Sequence, residues 1–169
     1  MSDAKTPPKT PMFPQFSELQ VMSPSEAEEV LKFSRARADQ NDPFAEWAAP
    51  WRQESLAHYL KIGWSMAKRD PEDGRLQGYV LAQPVLFMRG QTQTVWVEHI
   101  DGESDAVVAE LLDTIVRVSR EKHMQRVLMT FDPAKMAGGA SGIGDVIRDR
   151  SGRILEDDIL EFPTTKSKG

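Results

Sequence analysis

Thr94-Val-Trp-Val-Glu-His-Ile100, Asp101-Gly-Glu-Ser104, Asp105-Ala-Val-Val-Ala-Glu-Leu-Leu-Asp-Thr-Ile-Val116 and, after a short polar break, Arg126-Val-Leu-Met-Thr-Phe131 form the stretch that decides the fold. The first segment is rich in β-branched and aromatic residues and reads as a strand over 92 to 100. Asp101 to Ser104 breaks it and supplies a cap for a helix from Asp105 to Lys122. Val108, Leu111, Leu112, Ile115 and Val116 recur at helical spacing, while Glu110, Asp113, Arg117 and Arg120 take the opposite side. A strand over 126 to 131 then closes a strand, helix, strand crossover, which makes the two strands parallel neighbours or separates them by a gap.

Upstream, Leu76 to Met88 is apolar on both alternating faces, so both faces of that strand require a cover. Arg89-Gly90-Gln91 turns it back into the 92 to 100 strand as an antiparallel hairpin. Pro84 lacks a ladder donor and predicts an edge, a bulge or a bend there. A strand over Trp64 to Arg69 precedes it, across the turn cluster Asp70-Pro-Glu-Asp-Gly74. Two helices come earlier still. Ser23-Pro24-Ser25-Glu26 spells a capping box with proline at the first helical position, leading into Ala27, Val30, Leu31 and Phe33. Pro50 opens the second, Trp51 to Lys61, with Leu56, Tyr59 and Leu60 inward and Gly63 as its stop. Glu18 to Met22 reads as a short opening strand, and Ile154 to Phe162 as a last one.

The 169 residues suit a single domain, and 40% hydrophobic with 28% charged residues is ordinary globular usage. The expected organisation is a Pro-rich tail over 1–15, one domain over 16–163 and a second tail over 164–169. The fold class is α/β (α+β), a mixed, mostly antiparallel central sheet flanked by helices. A net charge of −5 without a basic block argues against nucleic acid as a partner. The absence of cysteine removes thiolate nucleophiles and thiolate-bound metals, and three scattered histidines give no metal spacing, so no metal is expected. No stretch has the length of a membrane span and no apolar leader follows the first residues, so a cytoplasmic chain without a membrane partner is the expectation.

This element order, with Leu76-Gln-Gly-Tyr79 opening the third strand and Thr94 to Ile100 as the fourth, resembles the GNAT acyltransferase superfamily from Phe16 to Phe131. The resemblance implies an acyl-CoA-dependent N-acyltransferase acting on a small-molecule or peptide amine. It implies Glu98 on the fourth strand as the general base, with His99 beside it and Tyr59 as a general acid. For the cofactor, acetyl-CoA or another acyl-CoA, it implies the backbone of Val95, Trp96 and Val97 along the pantetheine arm and Ser104 at the helix start. Alternation in a strand sends Glu98 and His99 to opposite faces, so only one of them is expected in a given cleft. The bland alternatives are an ion-paired surface Glu98, a hydrogen-bonded His99 and a core Tyr59, with His58 beside it.

One motif departs from the family. Where GNAT proteins write Q/R-x-x-G-x-G/A to cradle a pyrophosphate, this chain has Ile100-Asp-Gly-Glu-Ser-Asp105. Asp101, Glu103 and Asp105 favour the positive helix end themselves and repel a diphosphate. Gly139-Ala-Ser-Gly142-Ile-Gly144 has the glycine spacing but reads as a loop, and Asp132-Pro133 stands where the family has an asparagine. A second reading is therefore a non-catalytic GNAT-like scaffold, a protein-interaction or regulatory module with a protein partner or as a homodimer. The acidic run Glu156-Asp-Asp158 reads as a solvated turn or strand face.

Overall fold

The structure, a computed structural model, describes residues 19–37, 53–86, 93–130, 152–154 and 159–164. Within them the chain runs β1 (Leu19–Val21), a 3-10 turn (Pro24–Glu26), α1 (Ala27–Arg37), α2 (Gln53–Lys61), β2 (Met66–Arg69), β3 (Leu76–Leu86), β4 (Gln93–Gly102), α3 (Asp105–Glu121), β5 (Arg126–Thr130), β6 (Arg153–Ile154) and β7 (Ile159–Pro163). The tail over 1–15, Asp132-Pro133, the Gly139 to Gly144 stretch and the Glu156 to Asp158 run lie outside the described residues.

Among the described residues the seven strands make one sheet in the order β1-β2-β3-β4-β5-β7-β6. All neighbours are antiparallel except β4 and β5. That parallel pair follows from α3, which carries the chain back across one face, and the fold class is the mixed, mostly antiparallel sheet with flanking helices that the pattern predicts.

Both faces of the sheet are covered. On one, Val107, Leu111, Leu112 and Ile115 of α3 pack on Val80, Ala82, Val95, Val97, Val127, Leu160 and Phe162. On the other, Ala27, Val30 and Leu31 of α1 and Leu56 and Leu60 of α2 pack on Ala67, Leu76, Tyr79 and Leu81. Each Val, Leu, Ile or Phe among them contributes about 1.5–3 kcal/mol when fully buried, so the alternating apolar text of β3 joins two helical layers to one strand. The helix entries are held as their sequences predict. The Glu26 carboxylate accepts from the Ser23 amide at 2.6 Å and from the Arg69 guanidinium at 2.7 Å, while Arg69 also reaches Glu29 at 2.6 Å.

Three readings need correction. The single last strand over 154 to 162 is two antiparallel strands, with Arg153 opposite Glu161 and Ile154 opposite Leu160. Thr164 is anchored instead of loose: it is buried, and its Oγ1 donates towards the carbonyls of Met124 and Gln125 at 2.7 and 2.8 Å. β4 continues past Ile100 to Gly102, because Gly102 pairs with Gly78 under the start of α3. A Cβ built on Gly78 would lie 2.6 Å from Val107 Cγ1, and one on Gly102 2.8 Å from the same atom, so two glycines admit the helix there. Pro84 lies where β3 has β4 on one side and, among the described residues, no strand on the other, an edge that suits its missing N–H.

Candidate functional site

The register of β3 against β4 slips at one place. Ala82 stands opposite Val97 and Leu81 opposite His99, so Glu98 is an extra residue, a β-bulge. The parallel ladder with β5 stops at the same point, its last pair being Val97 with Met129. β4 then continues through residues 98–102 with β3 on one side and, among the described residues, no strand on the other. Its outer backbone groups form an open edge that begins at Glu98.

The bulge overturns the expectation that Glu98 and His99 face apart. Val95, Val97 and Ile100 point to the α3 layer. Glu98 takes a hydrogen bond from Tyr59 of α2, and the His99 ring lies 5.7 Å from that of Tyr79, which belongs to the α1 and α2 layer. Both residues are thus on the helical face opposite α3, because the extra residue resets the alternation.

Glu98 is the convergence point of the site. Its Oε2 accepts from Tyr59 Oη at 3.0 Å and from Trp96 Nε1 at 2.7 Å. Trp96 is two residues earlier on the same strand and so shares a face with Glu98. Oε1 has no protein donor among the described residues. The carboxylate is half-buried and held through one oxygen by two aromatic side chains. Burial, then the hydrogen bond and charge of Glu98, push the Tyr59 phenol up to about 12, so Tyr59 serves here as a hydrogen-bond donor with its proton firmly held. His58 is exposed, its ring edge-on to Tyr59 at 6.0 Å.

The structure thus brings Glu98, Tyr59 and His99 to one face. The indole of Trp96 also joins the site, although the sequence offered only its backbone. A tryptophan two positions before a strand glutamate was the available signal. The backbone of Val95, Trp96 and Val97 does not fit the expected role: it is enclosed between β3 and β5, pairing with Val127 to Met129 on the side a ligand would need. The open edge lies at 98–102 instead.

The helix start is crowded with its own acceptors. Ser104 caps α3 by accepting from Val107 N at 3.4 Å. Gly102 N donates to Asp101 Oδ1 at 2.8 Å and Glu103 N to the Gln77 carbonyl at 2.9 Å. Arg75, a neighbouring cation, is engaged by Glu103 at 2.6 Å. With three amides and the cation already engaged and three carboxylates in the turn, these residues do not fit the diphosphate of CoA. Among the described residues no group of three His, Asp or Glu converges as a metal site, and no helix is long and apolar enough to cross a membrane.

No protein-family model matches the chain, and no curated protein does. Solved structures do resemble it. A probable acetyltransferase from Staphylococcus epidermidis superposes with a TM-score of 0.68 at 9% identity, over 87% of this chain and 98% of that one. A GNAT family N-acetyltransferase from Escherichia coli, solved with CoA, gives 0.60 at 15% identity over 87% and 81%. A Drosophila melanogaster polyamine N-acetyltransferase that forms N-acetylagmatine gives 0.58 at 13% identity over 81% and 83%. The fold of the chain is GNAT-like.

Proposed function

We propose that this GNAT-like domain is an N-acyltransferase that works on an amine held at Glu98. The observation that carries the reading is the coincidence at one residue of the β4 bulge, the end of the β4–β5 ladder and a carboxylate fixed through a single oxygen. An acyl thioester whose arm bears amide groups can pair along the open edge at 98–102 as an added strand would, apart from Gly102 N, which Asp101 already holds. Its carbonyl then lies beside Glu98. Oε1 takes a proton from the ammonium form of the acceptor, and the freed nitrogen lone pair attacks the thioester carbon. The C–N bond forms, the C–S bond breaks, the thiolate leaves, and the second amine proton goes to it or to solvent. Tyr59 and Trp96 keep the carboxylate oriented throughout. The polyamine and CoA named for structural neighbours support this choice of acceptor class and reaction.

The test is mass-spectrometric detection of N-acetylation of a panel of polyamines and lysine peptides, with S-acetylpantetheine and acetyl-CoA as donors. Transfer by the wild type, lost about a hundredfold or more in Glu98→Gln, supports the reading, since a positioned base contributes about 10²–10⁴ in rate. A second reading, a non-catalytic module that binds amines without acylating them, is favoured by the three carboxylates at the start of α3. It predicts amine binding that depends on Glu98 with no transfer from either donor.

A further inference from the structure

We infer that the thioester taken by this domain is a pantetheine-type donor carrying no nucleotide diphosphate at the start of α3, an inference that rests on the acyl-transfer reading. The turn between β4 and α3 is filled from within. Gly102 N, Glu103 N and Val107 N, amides a diphosphate would contact, donate to Asp101, to Gln77 and to Ser104. Beneath them the packing is tight: a methyl added at Gly102 would already lie 2.8 Å from Val107 Cγ1 and 3.2 Å from Val108 Cγ2. Nothing the size of a phosphate enters between strand and helix. Above them stand the carboxylates of Asp101, Glu103 and Asp105. Arg75, which would otherwise offset an anion, is turned onto Glu103 at 2.6 Å and lies 4.0 Å from Asp73.

The open edge that begins at Glu98 carries no such exclusion before it reaches Gly102, whose N–H Asp101 already holds. Its demand is for amide donors and acceptors, which the uncharged pantetheine arm supplies and which its thioester end brings to Glu98. The two ends of the cleft therefore select differently: the Glu98 end for a cation, the α3 end against an anion. The class of donor that satisfies both is an acyl thioester on a neutral pantetheine-like arm.

The experiment is calorimetric titration of the full chain at low salt with pantetheine, 4′-phosphopantetheine, dephospho-CoA and CoA. Affinity is expected to fall along the series, by about tenfold or more from first to last, as like charge is added near the turn. The gap should narrow as salt is raised. The combined variant Glu103→Gln, Asp105→Asn, at residues outside the 98–102 edge, should gain about tenfold for CoA and stay within about twofold for pantetheine. Glu103→Gln alone keeps every capping residue and should move the same way by a smaller factor, which guards against a misfolded double variant. CoA binding as tightly as pantetheine or tighter, or neutralised chains with unchanged CoA affinity, overturns the inference and leaves the acyl-transfer reading standing. Failure of pantetheine itself to bind at millimolar concentration overturns both.

Discussion

Tyr59 on α2 and Glu98 at the bulge of β4 stand 39 residues apart in sequence and share a hydrogen bond of 3.0 Å. The bond ties a helix on one layer to the point where the sheet opens, and it has a titratable signature. The phenol is pushed up to about 12 from the ordinary 10.0, by burial first and by Glu98 second. Spectrophotometric titration should find a late tyrosine step that Tyr59→Phe abolishes. Glu98→Gln should return it towards the ordinary value, because the charge is gone while an acceptor remains. A Tyr59 step that does not move in Glu98→Gln would contradict the assignment.

The same pair makes stability depend on alkaline pH. The folded state holds the phenolic proton more tightly than the unfolded chain does. Its contribution is complete below pH 10 and is lost as the pH rises through about 12. Urea unfolding across that window should show wild type losing more stability than Tyr59→Phe, whereas at neutral pH the variant should be weaker by about 1 kcal/mol for the lost hydrogen bond.

Gly78 predicts a packing failure at a distance from Glu98. A Cβ there would meet Val107 Cγ1 at 2.6 Å and the Asp101 carbonyl at 2.8 Å. Gly78→Ala should cost about 1–3 kcal/mol in denaturant unfolding, as overpacking does. Combining it with Val107→Ala should recover about 1 kcal/mol relative to the sum of the single changes. The recovery should be partial, since the Asp101 carbonyl belongs to the backbone and remains.

Arg69 joins β2 to the start of α1 through Glu26 and Glu29. Burial pushes the Glu26 carboxyl up, but the Ser23 amide and the Arg69 guanidinium together outweigh it and hold the group below the ordinary 4.5. The stability this supplies is present above pH 4.5 and is lost as the pH falls through the folded value. Arg69→Ala should cost about 2 kcal/mol at neutral pH, and acid should then remove less of what is left. Thermal melts from pH 7 to pH 3 would check both.

The layers of the fold were legible because they rest on periodicity. The α3 stripe of Leu111, Leu112 and Ile115 and the two-faced text of Leu76 to Leu86 allow few other arrangements. The capping text at Ser23 to Glu26 was equally plain. The bulge was not, because Val-Trp-Val-Glu-His-Ile reads as an unbroken strand and only the partner register of Leu81 and Ala82 reveals the extra residue. That slip decides the site, since it puts Glu98 and His99 on one face. The reversal between Ile154 and Ile159 and the anchoring of Thr164 were hidden for the same reason: both depend on partners distant in sequence. At the α3 start the sequence was informative, as Asp101, Glu103 and Asp105 already signalled a turn unsuited to phosphate.

The most direct test of the central claim, that the open edge of β4 beginning at Glu98 receives the acyl donor, is amide chemical-shift mapping by NMR with pantetheine added to the full chain. The account predicts saturable shifts concentrated at residues 98–102, with those of Val95 to Val97 small because β3 and β5 enclose them. Shifts centred elsewhere, or on the start of α3 without the 98–102 edge, would contradict it.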